Sequence, residues 1–474
     1  MNYKDNIKNL LNIKKDELCA ISDKIWDLAE TKFQEMMSST ILSQKLREEN
    51  FEVKSFIANM PTAFVAKYGE GKPVIGLLLE YDAVPFMSQR KEHLEEIAVY
   101  QDSNGHACGK NLVSAGVLGA GIVIKELMKE NSLKGTIKIY GCPGNEDGAG
   151  KTFMVREGVF SDLDCALTFK PNGFNAVNNF KTLANKQFLI RFKGRALHAF
   201  KYNHISKNAL NAIEIMNIGI NYLKNNLQEN NNINYAITRS GGSSPNVLKS
   251  EVEGIYSIRA NNEIELDKIY YRVCDIAKGA ALITNTEYEI VFDKACLDYI
   301  PNNTLGRVID KYLEEDIYEF DSNDKDFAKA IFDTFDEDIK SVNLEILKTR
   351  FEKLSFDEYL ISNKFEYKED LGVIDEVTDI ADVSWIIPVS NFYKTCFSFL
   401  TPYYSWQMVS QSSTEMANKG MLNASNVLAL TVLDLLQNPN LIDMAKQEHK
   451  EYLGDRKYNC PIPKDIKPSL IKGS

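Results

Sequence analysis

The run Gly105-His106-Ala107-Cys108-Gly109-Lys110-Asn111 sets a thiol and an amine two residues apart on either side of Gly109. A neighbouring ammonium lowers a thiol's pKa and makes its sulfur a better nucleophile. A lysine crowded by another cation loses its proton more readily and can then act as base or nucleophile. As a metal ligand lysine is poor, because its amine must first be deprotonated. Two carboxylates stand in comparable places. Asp82, within Glu80-Tyr81-Asp82-Ala83-Val84-Pro85, follows an apolar run, and Glu146, within Gly141-Cys142-Pro143-Gly144-Asn145-Glu146-Asp147-Gly148, follows another. Histidine, the commonest general base, occurs only five times in 474 residues. His106 reads as a residue that shapes its loop.

The elements that must position these groups alternate strand and helix. Val74 to Leu79 reads as a buried parallel strand ending in a loop, and Thr136 to Tyr140 as the next strand. Ser38-Ser39 opens an amphipathic stretch to Leu46, and Val113 to Met128 is an apolar helix rich in small residues. This alternation predicts an α/β sheet with its active site at the carboxyl ends of the strands. From Lys186 the character changes. Phe188 to Phe192 alternates like an antiparallel strand, Ser206 is placed to cap a helix, and Ile255 to Ile258 and Tyr288 to Phe292 supply further strands. The expected organisation is a first catalytic segment at 1–185, an inserted α+β domain at 186–296, and a second catalytic segment at 297–474. Residues 303–370 of the last segment are acidic and read as a solvated helical insertion. Met421 to Leu436 is a strong apolar helix.

Composition bounds the function. The hydrophobic fraction of 44% and charged fraction of 26% are ordinary for a globular protein. A net charge of −11 argues against nucleic acid or an anionic membrane surface as partner. The polar start Met1-Asn2-Tyr3-Lys4-Asp5-Asn6 leads into no apolar signal core, and no apolar run is expected to span a bilayer. The eight cysteines lack CxxC pairs and read as reduced thiols, which suggests a cytoplasmic location.

Six ordered blocks carry a resemblance. They are the Glu80 to Pro85 block, Gly105 to Asn111, Gly141 to Gly148, Gly194-Arg195-Ala196-Leu197-His198-Ala199, Gly241 to Asn246 running on to Arg259, and Thr378-Asp379-Ile380-Ala381-Asp382-Val383-Ser384-Trp385 with Tyr404-Ser405-Trp406-Gln407. Together they resemble the M20 metallopeptidase family, in the amidohydrolase branch that includes aminoacylases and aminobenzoyl-glutamate hydrolases. The resemblance implies a zinc-peptidase-like α/β catalytic domain interrupted by a smaller lid and dimerisation domain. It also implies two divalent metals held by a cysteine, histidines and a glutamate. The cysteine falls on Cys108 and the glutamate on Glu146, but the histidine positions fall on Lys110, Lys170 and Tyr404. The family's general-base glutamate falls on Asn145.

Hydrolysis in this family needs metal-bound water and a carboxylate to take its proton. Asn145 accepts no such proton, so the expectation is a site without metal and without cofactor. The resemblance also places His198 as the lid group that polarises a carbonyl, and Asn246 and Arg259 as a clamp for the ligand's carboxylate, with Asn145 and Tyr404 as further expected ligand-binding residues. Asp82 is the further carboxylate with an active-site role. The expected ligand is an N-acyl amino acid, a dipeptide or a similar carboxylate-bearing amide. Three functions follow: metal-independent acyl transfer or amide condensation through Cys108, Lys110 or Lys170; a non-catalytic subunit completing a partner's site; or a hydrolase with altered ligands. A homodimer, or a heteromer with an active relative, is the expected assembly.

Overall fold

A computed structural model describes residues 3–146, 148–202, 205–351 and 358–468. Asp147 of the Gly141 to Gly148 block therefore lies outside the described residues. The chain divides into two compact units. One comprises Met1–Phe180, Ile300–Gly372 and Val383–Tyr458; the other comprises Lys181–Tyr299, Val373–Asp382 and Asn459–Ser474.

In the described residues the strands run, in chain order, β1 (Glu52–Ser55), β2 (Phe64–Glu70), β3 (Val74–Glu80), β4 (Gly135–Cys142), β5 (Cys165–Asn172), β6 (Ala176–Val177), β7 (Ala184–Lys193), β8 (Asn232–Arg239), β9 (Glu251–Ala260), β10 (Glu287–Cys296) and β11 (Val389–Thr395). The first unit carries a mixed sheet in the order β1-β2-β4-β3-β5-β11-β6. Its centre, β4-β3-β5-β11, is parallel, and antiparallel pairs close both edges. The sequence Val-Ile-Gly-Leu-Leu-Leu of β3 is buried on both faces, which is why it is continuously apolar rather than alternating.

The helices Tyr3–Leu28, Lys110–Glu130 and Glu415–Gln437 share one core with this sheet. Leu18, Leu118 and Leu428 are fully buried there with Ile75, Leu77, Ile137 and Ile139. Each such side chain contributes roughly 1.5–3 kcal/mol when removed from water. The helix Lys110–Glu130 is long and apolar enough to cross a membrane, contrary to the reading that no run would suffice. Its most apolar window is 94% buried in the protein, so its composition is that of a core helix, hydrophobic on every side.

The second unit is an antiparallel sheet ordered β10-β7-β9-β8, against which the helices Ala209–Lys224 and Glu263–Thr284 pack. Ile213, Met216, Leu266 and Val273 meet Phe188, Ile190, Tyr256 and Ile258 in its core. The first of these helices is capped by Asn208, not Ser206: the Asn208 side chain accepts a hydrogen bond from Leu210 N at 3.2 Å. The acidic stretch also differs from its expected solvated character. Its first helix, Asn303–Asp310, buries Leu305, Val308 and Ile309 in the core of the first unit, because its apolar residues share one face.

Candidate active centre

The parallel strands deliver the polar groups. Asp82 follows the end of β3, Asn145 and Glu146 follow β4, and Lys170 lies near the end of β5. This is where open α/β sheets place their sites. Lys110 arrives differently, as the first residue of the helix Lys110–Glu130. Gly109 makes that entry possible. Its φ is +64°, and a Cβ there would lie 2.8 Å from the Phe397 ring and 3.2 Å from Pro171. Only glycine tolerates both the left-handed backbone and the close approach.

The loop after β4 is equally tight. A Cβ on Gly150 would sit 1.9 Å from the Pro143 carbonyl oxygen, so the chain folds back on itself there. Gly148 N donates to Gly144 O at 2.8 Å, and Glu146 N donates to Asp82 Oδ2 at 2.8 Å.

These elements bring Lys110 among carboxylates. Its Nζ is 2.6 Å from Glu146 Oε1, 3.1 Å from Asp82 Oδ1 and 3.9 Å from Glu80 Oε2. The side chain is only 4% exposed, and that of Asp82 is 0% exposed. Tyr404, held at a left-handed φ of +57° with its N donating to Ala107 O, closes the other side. Its hydroxyl donates to Glu146 Oε2 at 2.7 Å. Cys108 packs against both Glu146 and Tyr404. Both oxygens of Glu146 are thus engaged.

The electrostatics follow from this geometry. Burial works against the charged form of Lys110, but Asp82, Glu146 and Glu80 outweigh it and hold the amine well above its ordinary pKa. Burial likewise opposes ionised Glu146, and Lys110 overrides it, bringing the carboxyl down to about 2. The Asp82 carboxyl is raised by burial, with Lys110 opposing and Glu146 reinforcing. Cys108 has the electrostatics of a buried thiol rather than an activated one. Burial and the Glu146 charge push its thiol well above 9, because the ammonium beside it is already neutralised by carboxylates. His106 is buried with its Nε2 3.0 Å from Ile25 O, and burial lowers it to about 4, so it stays neutral. That agrees with a loop-shaping role.

Two buried groups escaped the sequence reading. Lys151 is fully buried, 2.5 Å from Glu80 Oε1 and 3.3 Å from Asn145 Oδ1. Glu35, also fully buried, accepts from Gly144 N at 2.9 Å, and its second oxygen has no hydrogen-bond partner. Burial, reinforced by the Asp82 charge, raises it to about 8. No motif marks either residue; Lys151 is brought in by the helix Gly150–Arg156 and Glu35 by the turn before the helix Met36–Glu48.

Lys170 stands on β5 opposite Tyr393, its Nζ 6.0 Å from that ring's centroid. Among the described residues no group of three or more His, Cys, Asp or Glu side chains is arranged to hold a metal ion. The Lys110 ammonium lies between Asp82 and Glu146.

His198, Asn246 and Arg259 belong to the second unit. Asn246 O accepts from Ala199 N at 2.9 Å, and His198 bridges to Val247, so these two are neighbours. Arg259 lies elsewhere. It is opposite Asn185 and Asn232, eight residues along β9 from Glu251, a span of about 26 Å at strand rise. Its Nη1 donates to Asp375 Oδ1 at 2.9 Å. Within this unit Asn246 and Arg259 therefore do not converge on one carboxylate, because the strand between them holds them at its two ends.

No family model matches the chain. Whole-length relatives do. The chain is 41% identical over 460 residues to a subunit of the p-aminobenzoyl-glutamate hydrolase of Escherichia coli, covering 95% of this chain and 96% of that protein. It is 23% identical over 454 residues to the Xaa-Arg dipeptidase of Mus musculus, covering 92% and 89%. Among solved structures it is similar to an aminobenzoyl-glutamate utilization protein from Klebsiella pneumoniae, with a TM-score of 0.58, 14% identity, and coverage of 91% and 98%. A dinuclear metal-binding M20 peptidase from Bacillus subtilis aligns with a TM-score of 0.54 and 17% identity, covering 90% and 99%. On the whole-length similarity to the Escherichia coli hydrolase subunit, with the fold shared by these structures, the chain belongs to the M20 family, in its amidohydrolase branch.

Proposed function

We propose that this chain is an M20-fold subunit that holds an amide-type small molecule, has no metal centre, and does not hydrolyse its ligand by itself. The observation that carries this is the Lys110 ammonium 2.6 Å from Glu146 and 3.1 Å from Asp82. A fixed ammonium supplies the positive charge that those carboxylates need, and it activates no water. Position 145 bears an amide that takes no proton from water. A dication admitted there would meet the buried Lys110 ammonium at short range, and that repulsion is costly.

Acting alongside a catalytic relative is then the favoured role, in keeping with a relative that is itself a hydrolase subunit. The second unit, with His198 and Asn246 side by side, is the lid and association element of this proposal. Either a homodimer or a heteromer with an intact relative is compatible with it. A cytoplasmic setting belongs to the same reading and is supported by the eight free cysteines. Acyl transfer through Cys108, Lys110 or Lys170 is less well supported, since Cys108 is held as a neutral thiol and Lys110 as a paired cation.

The test is elemental analysis of the purified protein, with p-aminobenzoyl-glutamate hydrolysis assayed alone and after mixing with an intact M20 subunit. Substoichiometric metal, no turnover alone and a complex on size-exclusion chromatography are expected. Stoichiometric zinc or manganese, with stabilisation on adding it and turnover by this chain alone, would overturn the proposal.

A further inference from the structure

Lys151 determines which way Asn145 faces. An ammonium only donates hydrogen bonds, so the Asn145 atom 3.3 Å from Lys151 Nζ must be the carbonyl oxygen. The amide NH2 is then directed away from Lys151, and among the described residues it makes no hydrogen bond. Lys151 itself has little freedom. It is fully buried, its Nζ is held 2.5 Å from Glu80 Oε1, and the Gly150 backbone beside it is pinned against Pro143. Half-buried Asn145 therefore presents a donor whose direction is set from behind.

The surrounding charges select what that donor meets. Among the described residues three carboxylates, Glu80, Asp82 and Glu146, face two ammoniums, Lys110 and Lys151. With all five groups ionised, that inner cluster carries one more negative charge than positive. An incoming carboxylate oxygen at Asn145 would meet it unfavourably, whereas a neutral carbonyl oxygen would not. We infer that Lys151 turns position 145 into a fixed N–H donor for the carbonyl oxygen of an intact amide. The site then discriminates for the uncleaved amide against the free acids that its cleavage would release. Lys151 acts as a positioning residue and Asn145 as the specificity contact. The inference rests on the ligand-holding reading above and adds which form of the ligand is held.

Calorimetric titration of the full chain tests it. The probes are N-acetyl-L-glutamate, N-benzoyl-L-glutamate and N-benzoylglycine, with acetate, benzoate, glutamate and glycine as the matched free acids. At least one intact amide is expected to bind and its free acids to bind at least tenfold more weakly. Asn145→Asp keeps the contact to Lys151 but replaces the donor with an acceptor, and should weaken amide binding by about tenfold. Lys151→Met should lose the preference for amide over acid. If Lys151→Met does not fold, Asn145→Asp alone decides. Amide binding unchanged in Asn145→Asp, or free acids bound as tightly as amides, would overturn the inference and leave the ligand-holding reading intact. Failure of every amide and acid to bind would overturn both.

Discussion

Lys110 occupies the place where Asp82 and Glu146 converge, and its removal tests how much of the centre depends on one charge. Lys110→Met leaves two carboxylates buried without their shared cation. Breaking such an arrangement costs about 3–5 kcal/mol, so urea unfolding should move to clearly lower denaturant with little change in its slope. An unchanged midpoint would mean that the carboxylates simply take up protons. Glu35 gives a prediction of opposite dependence on pH. Its folded pKa of about 8 lies above the ordinary value of 4.5. Below about 4.5 the folded and unfolded chains both hold this proton. Between there and about 8 only the folded chain does, so stability falls as pH rises through that window. Glu35→Gln should flatten this decline, and denaturation midpoints compared between about pH 5 and about pH 8 would show it. Glu146, brought down to about 2, behaves the other way: its contribution is present above 4.5 and is lost as pH falls towards 2.

At the scale of elements, two loops aim the centre. The turn Pro143–Gly150 carries Asn145 and Glu146, and Gly150 must lack a side chain because the Pro143 carbonyl fills that space. The obstacle is backbone, which cannot move aside as a flexible side chain would. Gly150→Ala is expected to destabilise the protein by about 1–3 kcal/mol and to displace Glu146 from Lys110. Thermal unfolding together with amide binding would reveal both effects. In the second unit, Asn208→Ala removes the cap of the helix Ala209–Lys224 at a cost of about 1 kcal/mol, while Ser206→Ala should leave stability unchanged. Equal effects from the two substitutions would refute that assignment of the cap. β9 makes a further point at this scale. It separates Arg259 from the pair His198 and Asn246 by most of a strand's length, so a spacing that looks like a clamp in sequence is spread over the two ends of a sheet.

For the whole molecule, the association expected under the proposed function is a matter of surface. The helices of the second unit leave Ile218, Tyr222, Tyr271 and Leu282 exposed while their other faces fill its core. If these side chains meet a partner, Tyr222→Glu with Leu282→Glu should abolish self-association or complex formation without lowering the unfolding temperature. Analytical ultracentrifugation distinguishes this from surfaces that merely face water.

Much of the chemistry was already legible in the primary structure. The block order from Glu80 to Gln407 identified the family, and the continuous apolar run of β3 and the small-residue helix Lys110–Glu130 gave the α/β core, because burial dictates residue type locally. The residue types at 110, 145, 170 and 404 were equally plain, since side-chain chemistry is written in the sequence. Which of those groups touch was decided only by folding. Lys110 and Cys108 are neighbours in sequence, yet the charge of Lys110 is taken up by Glu146 and Asp82, and so the thiol is not activated. Lys151, in the first turn of the helix Gly150–Arg156, and Glu35 carry no motif and enter the centre through the tertiary fold alone. Electrostatic effects depend on distances of a few ångströms between residues far apart in the chain, and those distances exist only once the strands have been brought side by side.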